Sequence, residues 1–354
     1  MRLLLITNDY PPKPGGIQMY LQNFVDAFPD DVLVFGPSDE RATPDDEVVR
    51  GHREYMLPTG ETLAAVLQAA GRFRPDAVLF GAPHPLPRLG PALRAELGIP
   101  FAVLNHGAEV TIPAALPGAR QWLGRMLAKA DVLFAVSRFT ADRVSRISGK
   151  EATFLGAGVE TDTFVPAAEP PDNAVPVIGC VSRFVPRKGQ HRLLEAVADL
   201  DRDVEVLFVG KGRTEQALRK QAERLGVRTR FEVDVPWKAL PGLYQQMDVF
   251  CMPTKSRWGG LEVEGLGLVF LEASASGLPV LAGDSGGSPE TVLPGETGFV
   301  VSSTSDIVEG LGILLDDPVR ARTMGVAGRR FVEQEFTWDR VVERFFVGFA
   351  PHLR

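Results

Sequence analysis

Two carboxylates, Glu264 and Glu272, stand with seven residues between them in GGLEVEGLGLVFLE (259–272), and two glycines, Gly265 and Gly267, lie inside that interval. Upstream, DVFCMP reads as a buried strand; downstream, LEASASGLPVLA reads as a helix, a Gly-Leu-Pro stop and another strand. The glycines therefore mark a strand-to-helix junction. A helix N-terminus offers free N–H groups and partial positive charge, which suits a phosphate, and glycine lets the backbone approach an anion closely. One carboxylate on the loop and one on the helix could each bind sugar hydroxyls. Farther upstream, Arg183 and Lys188 in SRFVPRKGQH follow the strand VPVIGCVS, and Lys188-Gly189 opens the next helix. Two cations beside a helix start make a diphosphate clamp. Such cations offset the charge that grows on a departing diphosphate.

In an open parallel sheet, ligands bind outside the carboxyl ends of the strands, and two further groups meet that rule. Asn8 and the pair Gly15-Gly16 follow the first strand and precede a helix. They do not form GxGxxG, so a dinucleotide site is poorly supported; a plain loop-to-helix turn explains the glycines equally well. His106 and Glu109 follow the strand FAVLN, where His106 could be a hydrogen-bonding group or a proton shuttle, or simply structural. Asp201 and Asp203 match a DxD metal signature but precede their strand, at the wrong end of the sheet, and read as solvated loop acids. No metal is therefore expected, and Arg183 and Lys188 are expected to do a divalent ion's work.

The elements that must hold these residues alternate βαβα along the chain. RLLLITN, VLVFGP, DAVLFGAP, FAVLNHG and DVLFAVS are apolar runs of the kind buried on both faces of a parallel sheet. Residues 37–58 read as polar and irregular. AAEPPDNAVP (167–176) reads as an interdomain linker, after which the pattern restarts. The predicted organisation is an N-terminal domain 1–168, a second similar α/β domain 169–337, and a final amphipathic helix 338–354. A helix over 117–129 sets Trp122, Leu123, Met126 and Leu127 on one side and Arg120, Arg125 and Lys129 on the other. A local basic excess in a chain of net charge -7 suggests contact with an anionic membrane surface, against the alternative of a core helix with a wet face.

Composition narrows the classes. The 354 residues carry 45% hydrophobic and 23% charged side chains, an ordinary globular mix. A net charge of -7 argues against a nucleic-acid partner. The two cysteines, Cys180 and Cys251, sit in apolar runs and read as buried reduced thiols. The apolar start is too short for a signal peptide and is expected to be a first strand. No stretch approaches the length of a membrane-spanning helix.

Taken in order, NDYPPKPGGIQ, NHGAEV, SRFVPRKG, VGKGR, GGLEVEGLGLVFLEA and GDSGGSPETV resemble the retaining glycosyltransferases of the GT4 family. Among these, the chain is most similar to the actinobacterial phosphatidylinositol mannosyltransferases of the B type. The resemblance implies a GT-B fold, an α/β architecture of two Rossmann-like parallel-sheet domains facing across a cleft, with the donor bound by the second and the acceptor by the first. The final helix returns to the first. It implies that Arg183 and Lys188 bind the donor diphosphate, Glu264 contacts the donor sugar and Glu272 holds the ribose hydroxyls. Backbone amides of Gly265, Leu266, Gly267, Leu268 and Val269 touch sugar and phosphates, Gly16 approaches the phosphates, and His106 sits near the reacting sugar. Asn8, Glu109 and the helix residues Arg120, Trp122, Arg125 and Lys129 are the expected acceptor and membrane side. Ala108 departs from the pattern, since related enzymes often carry a bulkier polar residue there.

The implied donor is a nucleotide sugar, GDP-mannose first, with no cofactor and no metal. The implied acceptor is an inositol lipid, and the implied location is cytoplasmic, peripheral on the inner face of the cell membrane. Other readings are the same class with another donor or a soluble acceptor, a nucleotide-sugar epimerase, and a non-catalytic binding module. The intact set Arg183, Lys188, Glu264 and Glu272 argues against the last.

Overall fold

The structure, a computed structural model, describes the chain except residues 44–46, 112–116, 170, 172 and 354. It divides into two compact units, Met1–Gly158 with Trp338–Arg354, and Val159–Thr337. Each is an open, wholly parallel sheet.

Unit one contains β1 (Leu3–Ile6), α1 (Gly16–Asp26), β2 (Val32–Gly36), β3 (Val48–Arg50), α2 (Gly60–Phe73), β4 (Ala77–Phe80), α3 (Gly90–Leu97), β5 (Phe101–Asn105), α4 (Ala108–Thr111), α5 (Pro117–Leu127), β6 (Val132–Ala135), α6 (Arg138–Ser148) and β7 (Thr153–Phe154). Its strand order is β3-β2-β1-β4-β5-β6-β7. The four residues of β1 are fully buried, as a central parallel strand covered on both faces requires.

Unit two contains β8 (Val177–Val181), α7 (Gln190–Ala198), β9 (Glu205–Val209), α8 (Glu215–Leu225), β10 (Arg228–Glu232), α9 (Leu240–Tyr244), β11 (Val249–Met252), α10 (Leu268–Ala275), β12 (Val280–Gly283), β13 (Gly298–Val301), α11 (Thr304–Asp316) and α12 (Pro318–Glu335). Its order is β10-β9-β8-β11-β12-β13. The strand order turns back on itself between β1 and β4 in unit one and between β8 and β11 in unit two. Such switch points open a crevice at the carboxyl ends of the strands, and both groups of candidate residues lie there.

The last helix, α13 (Trp338–Phe349), belongs to unit one. Its aromatic face explains the placement: Phe345 meets Phe24 at 5.3 Å and Phe134 at 5.1 Å, and Trp338 meets Tyr20 at 5.2 Å between ring centroids. Gly158 is required where the chain passes Trp338, because a Cβ there would lie 2.4 Å from the indole.

Some local expectations change. The segment 37–58 holds β3, a three-residue strand paired to β2; so short a run at a sheet edge has too little apolar length to stand out from its polar surroundings. The predicted linker 167–176 lies inside unit two, since the division falls at Gly158. Gln245 binds the carbonyl of Val165, and Arg329 that of Phe164, so the chain is fastened to unit two before the prolines begin.

Candidate active site

In unit two the site is built from β8 outward. After β8 the chain makes a tight turn at Pro186–Lys188. The buried Gln190 holds this turn by donating to Ser182 Oγ at 2.8 Å and to the carbonyl of Arg183 at 3.0 Å. Gly189 follows at φ 78°, and a Cβ there would sit 2.1 Å from the Pro253 carbonyl oxygen, so only glycine lets β8 and β11 converge here. The turn directs Arg187 and Lys188 inward. Both are about nine-tenths buried, and both bind one oxygen, Oε2 of Glu264, with Lys188 Nζ at 2.7 Å. Arg187 also reaches Glu262 at 3.8 Å.

Glu264 is held from the other side by the loop after β12. Its amide donates to Ser285 Oγ at 3.3 Å and its carbonyl accepts from Gly287 at 3.0 Å. A Cβ on Gly286, at φ 60°, would lie 2.0 Å from that carbonyl oxygen, so GDSGGSPETV acts as the brace of the Glu264 loop. Burial pushes the Glu264 carboxyl up, but the charges of Lys188 and Arg187 outweigh it and bring it down to about 2. Glu264 is thus a carboxylate at neutral pH, and its Oε1 has no partner among the described residues. Burial lowers Lys188, opposed by Glu264, while the nearby charges of Arg187 and Arg183 lower it further. Arg183 itself is exposed and has no ion-pair partner among the described residues.

Three residues on, Gly267 adopts φ 97° and precedes α10. No side chain caps α10, and no acid lies in its first turn, so its leading N–H groups and dipole stay available to an anion. Gly265, Leu266, Gly267, Leu268 and Val269 all belong to this turn. One face of α10 carries Glu272, which accepts from the Tyr244 hydroxyl at 2.7 Å. Burial raises the Glu272 carboxyl; the Tyr244 bond lowers it and the charge of Glu160 raises it, leaving it at about 7. Beside the turn, a cavity of about 350 Å³ opens at the carboxyl ends of β8 and β9, lined by Val181, Ser182, Gly210, Lys211, Asp234 and Leu240; Lys211 is ion-paired to Asp234.

In unit one the candidate side chains mostly serve their own loops. Asn8 is buried and its amide both donates to the Met56 carbonyl, at 3.0 Å, and accepts from the Met56 amide, at 2.8 Å. Gly16 begins α1, whose N-cap Gly15 gives no side-chain bond. The loop before it is tied by Gln18, which donates to Asp9 at 2.7 Å. Glu109 accepts from the amides of His106 and Gly107. His106 Nε2 lies 2.9 Å from the Gly81 carbonyl; a carbonyl only accepts, so Nε2 carries the proton and Nδ1 keeps its lone pair when the ring is neutral. On α5, Leu123, Met126 and Leu127 are buried, and Arg120 and Arg125 are exposed; the helix ends at Leu127, short of the expected 129, so Lys129 lies exposed in the turn that follows. Trp122 corrects the expected pattern: it is 43% exposed on the basic side, with the Arg88 guanidinium 5.9 Å from its ring. The buried face is claimed by α6, to which Gly124 comes close enough that a Cβ would meet the Ile147 carbonyl at 2.2 Å.

Sequence reasoning missed three participants. Arg187 was hidden beside Lys188; only the tight turn makes adjacent residues share one carboxylate. Lys211 and Asp234 lie on different loops, and no local spacing connects them. Asp201 and Asp203 do precede β9, away from this site. Among the described residues no group of three or more His, Cys, Asp or Glu is placed to hold a metal ion, and no helix is long and apolar enough to cross a membrane.

Two parallel Rossmann-like units and a cation-flanked glycine turn are the hallmarks of a GT-B glycosyltransferase. The family model for glycosyltransferase family 4 matches residues 14–163, and that for glycosyl transferases group 1 matches residues 162–331. The chain is 39% identical, over 97% of its length and 96% of the relative's, to a GDP-mannose-dependent monoacylated alpha-(1-6)-phosphatidylinositol monomannoside mannosyltransferase of Corynebacterium glutamicum. It is 40% identical, over 95% of each chain, to the GDP-mannose-dependent alpha-(1-6)-phosphatidylinositol monomannoside mannosyltransferase of Mycolicibacterium smegmatis. In fold it is similar to a sucrose-phosphate synthase of Thermosynechococcus elongatus, with a TM-score of 0.82, 20% identity, and 99% and 98% of the two chains covered. The chain belongs to the GT4 family of glycosyltransferases and is a glycosyltransferase of GT-B fold.

Proposed function

We propose that this enzyme transfers mannose, with retention of configuration, from GDP-mannose to a phosphatidylinositol mannoside acceptor. The observation that carries the reading is the pair Arg187 and Lys188 preset on Glu264 beside the uncapped start of α10, in a chain about two-fifths identical to two enzymes of that description.

Each part then has a task. Lys188, Arg183 and the N–H groups of Leu268 and Val269 receive the diphosphate and stabilise the charge it gains on leaving. Because Glu264 already holds Arg187 and Lys188 in place, little reorganisation accompanies that step. Glu264 Oε1 accepts from a hydroxyl of the sugar. Glu272, oriented by Tyr244, accepts from the ribose. The cavity at Lys211 and Asp234 takes the base: guanine offers O6 and N7 as acceptors and an amino donor, and a lysine and a carboxylate complement both. In the transfer, the bond from C1 to the diphosphate oxygen breaks and the acceptor oxygen bonds to C1 on the same face. The acceptor proton passes to the departing phosphate oxygen, so no strong side-chain base is needed. His106 offers Nδ1 to a hydroxyl. Charge neutralisation by side chains makes the reaction metal-independent, and the lipid acceptor places the enzyme peripherally at the inner face of the membrane.

The test is an assay with GDP-mannose, UDP-glucose and ADP-glucose, phosphatidylinositol mannoside as acceptor, and EDTA throughout. Only GDP-mannose is expected to give product, in the α configuration. Equal use of the other donors, a stop in EDTA reversed by magnesium, or interconversion of the donor sugar without acceptor would overturn the reading.

A further inference from the structure

The ion pairs around Glu264 form one chain. Lys188 Nζ binds Oε2 at 2.7 Å, and Arg187 Nη1 binds the same oxygen. At its other edge Arg187 sets Nε 3.8 Å from Glu262 Oε1, and Glu262 Oε2 accepts from Arg257 Nη1 at 3.2 Å. The chain holds three cations and two carboxylates, before the exposed Arg183 is added.

That balance depends on Arg187. Without it, two cations would face two carboxylates, and Lys188 would be matched one to one with Glu264. A closed pair presents a dipole rather than a charge to a third group. The side chains of Arg187, Lys188 and Glu264 are 10, 9 and 12% exposed, so solvent ions screen little of the excess.

Shape adds to charge. A guanidinium is a planar fork, whereas an ammonium is a point charge with freely turning donors. Arg187 is held at both edges of its fork, and its backbone carbonyl accepts from the Lys255 amide at 3.0 Å. Glu262 is held in turn: its amide donates to the Arg257 carbonyl at 3.3 Å, and its carbonyl accepts from the Arg257 amide at 3.0 Å. A fork fixed in this way fixes the carboxylate that it binds. Both cations use Oε2 of Glu264, which leaves Oε1 open. Lys188 alone would let the carboxylate turn.

We propose that Arg187 is a positioning residue for the transfer: acting through Glu264, it leaves this turn one positive charge in excess for the donor diphosphate and keeps Oε1 open for the donor sugar. Lys188 keeps its contact with the diphosphate, and Glu262 holds Arg187 in line. The inference rests on the proposed placement of a sugar nucleotide at this turn, whatever its base.

The full chain and the variants Arg187→Met, Arg187→Lys, Glu264→Gln and Arg187→Met with Glu264→Gln are titrated with GDP, UDP and ADP by calorimetry at low salt, and donor turnover is followed alongside. For the diphosphate that binds wild type, Arg187→Met is expected to weaken binding about tenfold and Glu264→Gln to tighten it severalfold, as loss of a cation and of a carboxylate require. The double variant restores the wild-type charge balance and is expected to bind within about threefold of wild type. Arg187→Lys keeps the charge without the fork, so binding is expected to stay within about threefold while turnover falls about tenfold. A residue that only stabilises the fold would lower affinity in every variant, and most in the double one. That result overturns the proposal, as does wild-type binding by Arg187→Met, wild-type turnover by Arg187→Lys, or binding of none of the three diphosphates. The expected pattern on UDP or ADP in place of GDP would support the role of Arg187 and overturn the guanosine donor, so the two readings fail separately.

Discussion

The two units place their candidate residues at the same topological position and build them in opposite ways. In unit two, charge holds charge: Arg187 and Lys188 are fixed on Glu264, and the nearby Arg183 has no ion-pair partner among the described residues. In unit one, side chains hold backbone: Asn8 is spent on Met56, Glu109 on the amides of His106 and Gly107, and His106 on Gly81. A cluster prepaired within itself can meet a charged ligand of fixed shape. Loops stapled by neutral or singly charged groups set a surface, and leave recognition to fewer atoms. That difference favours the proposed placement of the charged donor in unit two.

The sharpest way to break that contrast is to remove the shared carboxylate. Glu264→Gln leaves two buried cations without their common counter-ion, a change of about 3–5 kcal/mol, seen as a lower urea midpoint above pH 5. The carboxyl's folded value is depressed to about 2, so its stabilisation is present above the ordinary carboxylate range and fades as pH falls toward 2. GDP supplies the missing negative charge, so it is expected to raise the melting temperature of this variant more than that of wild type. Equal shifts would mean that the diphosphate does not meet Arg187 and Lys188.

A smaller effect separates the two cations named from sequence. Arg183→Ala and Lys188→Ala are each expected to lower kcat/KM by roughly 10²–10³-fold, about 2.7–4 kcal/mol. Only Lys188→Ala is expected to change thermal stability as well, because Arg183 is exposed and unpaired among the described residues whereas Lys188 is buried against Glu264. Wild-type turnover in Arg183→Ala would remove it from the clamp.

Legibility followed the range of the interactions. The central strands could be read because each is a run of apolar residues buried on both faces; β3 could not, because three residues at an edge carry no such run. Gly267 and the helix after it were readable from one short stretch. Arg187 was not, because its role depends on Glu264, 77 residues away; nor was the brace of Gly286 against the Glu264 carbonyl. Trp122 was misplaced because a helical wheel ranks it with Leu123 by residue type, while the width of the face covered by α6 decides which of them is buried. In unit one the roles of Asn8 and Glu109 depend on loop conformation, which residue spacing does not encode.

Glu272 gives a pH-dependent test within unit two. Its folded value is about 7 against an ordinary 4.5. Between those values the unfolded chain releases the proton that the folded chain retains, so stability falls as pH rises from 4.5 to 7 and stays lower above 7. Glu272→Gln removes that loss. It is expected to be more stable than wild type by at most about 3 kcal/mol at pH 8 and equal to it below pH 4.5, while GDP affinity drops with the ribose contact. A stability difference that does not vary with pH would show that burial does not govern this carboxyl.

The smallest expected effect lies in unit one and concerns α5. Its apolar face is occupied by packing, so insertion of that face into a bilayer is unavailable without local unfolding. The exposed side, however, combines Arg120 and Arg125 with the half-exposed Trp122, and Lys129 follows in the exposed turn after the helix, in a chain whose net charge of -7 would otherwise repel an anionic surface. Each basic residue near such a surface contributes about 1 kcal/mol, and salt screens it. An exposed indole adds an amphipathic contact at headgroup depth. Surface attachment by this helix would therefore be electrostatic and reversible, with one aromatic anchor. Vesicles containing phosphatidylinositol are expected to pellet the wild-type chain at low salt and release it at high salt. Arg120→Ser with Arg125→Ser and Lys129→Ser is expected to stay in solution under both conditions, and Trp122→Ser to weaken pelleting by a smaller, salt-insensitive amount. If the triple variant pellets as wild type does, α5 is an ordinary packed helix with a wet face.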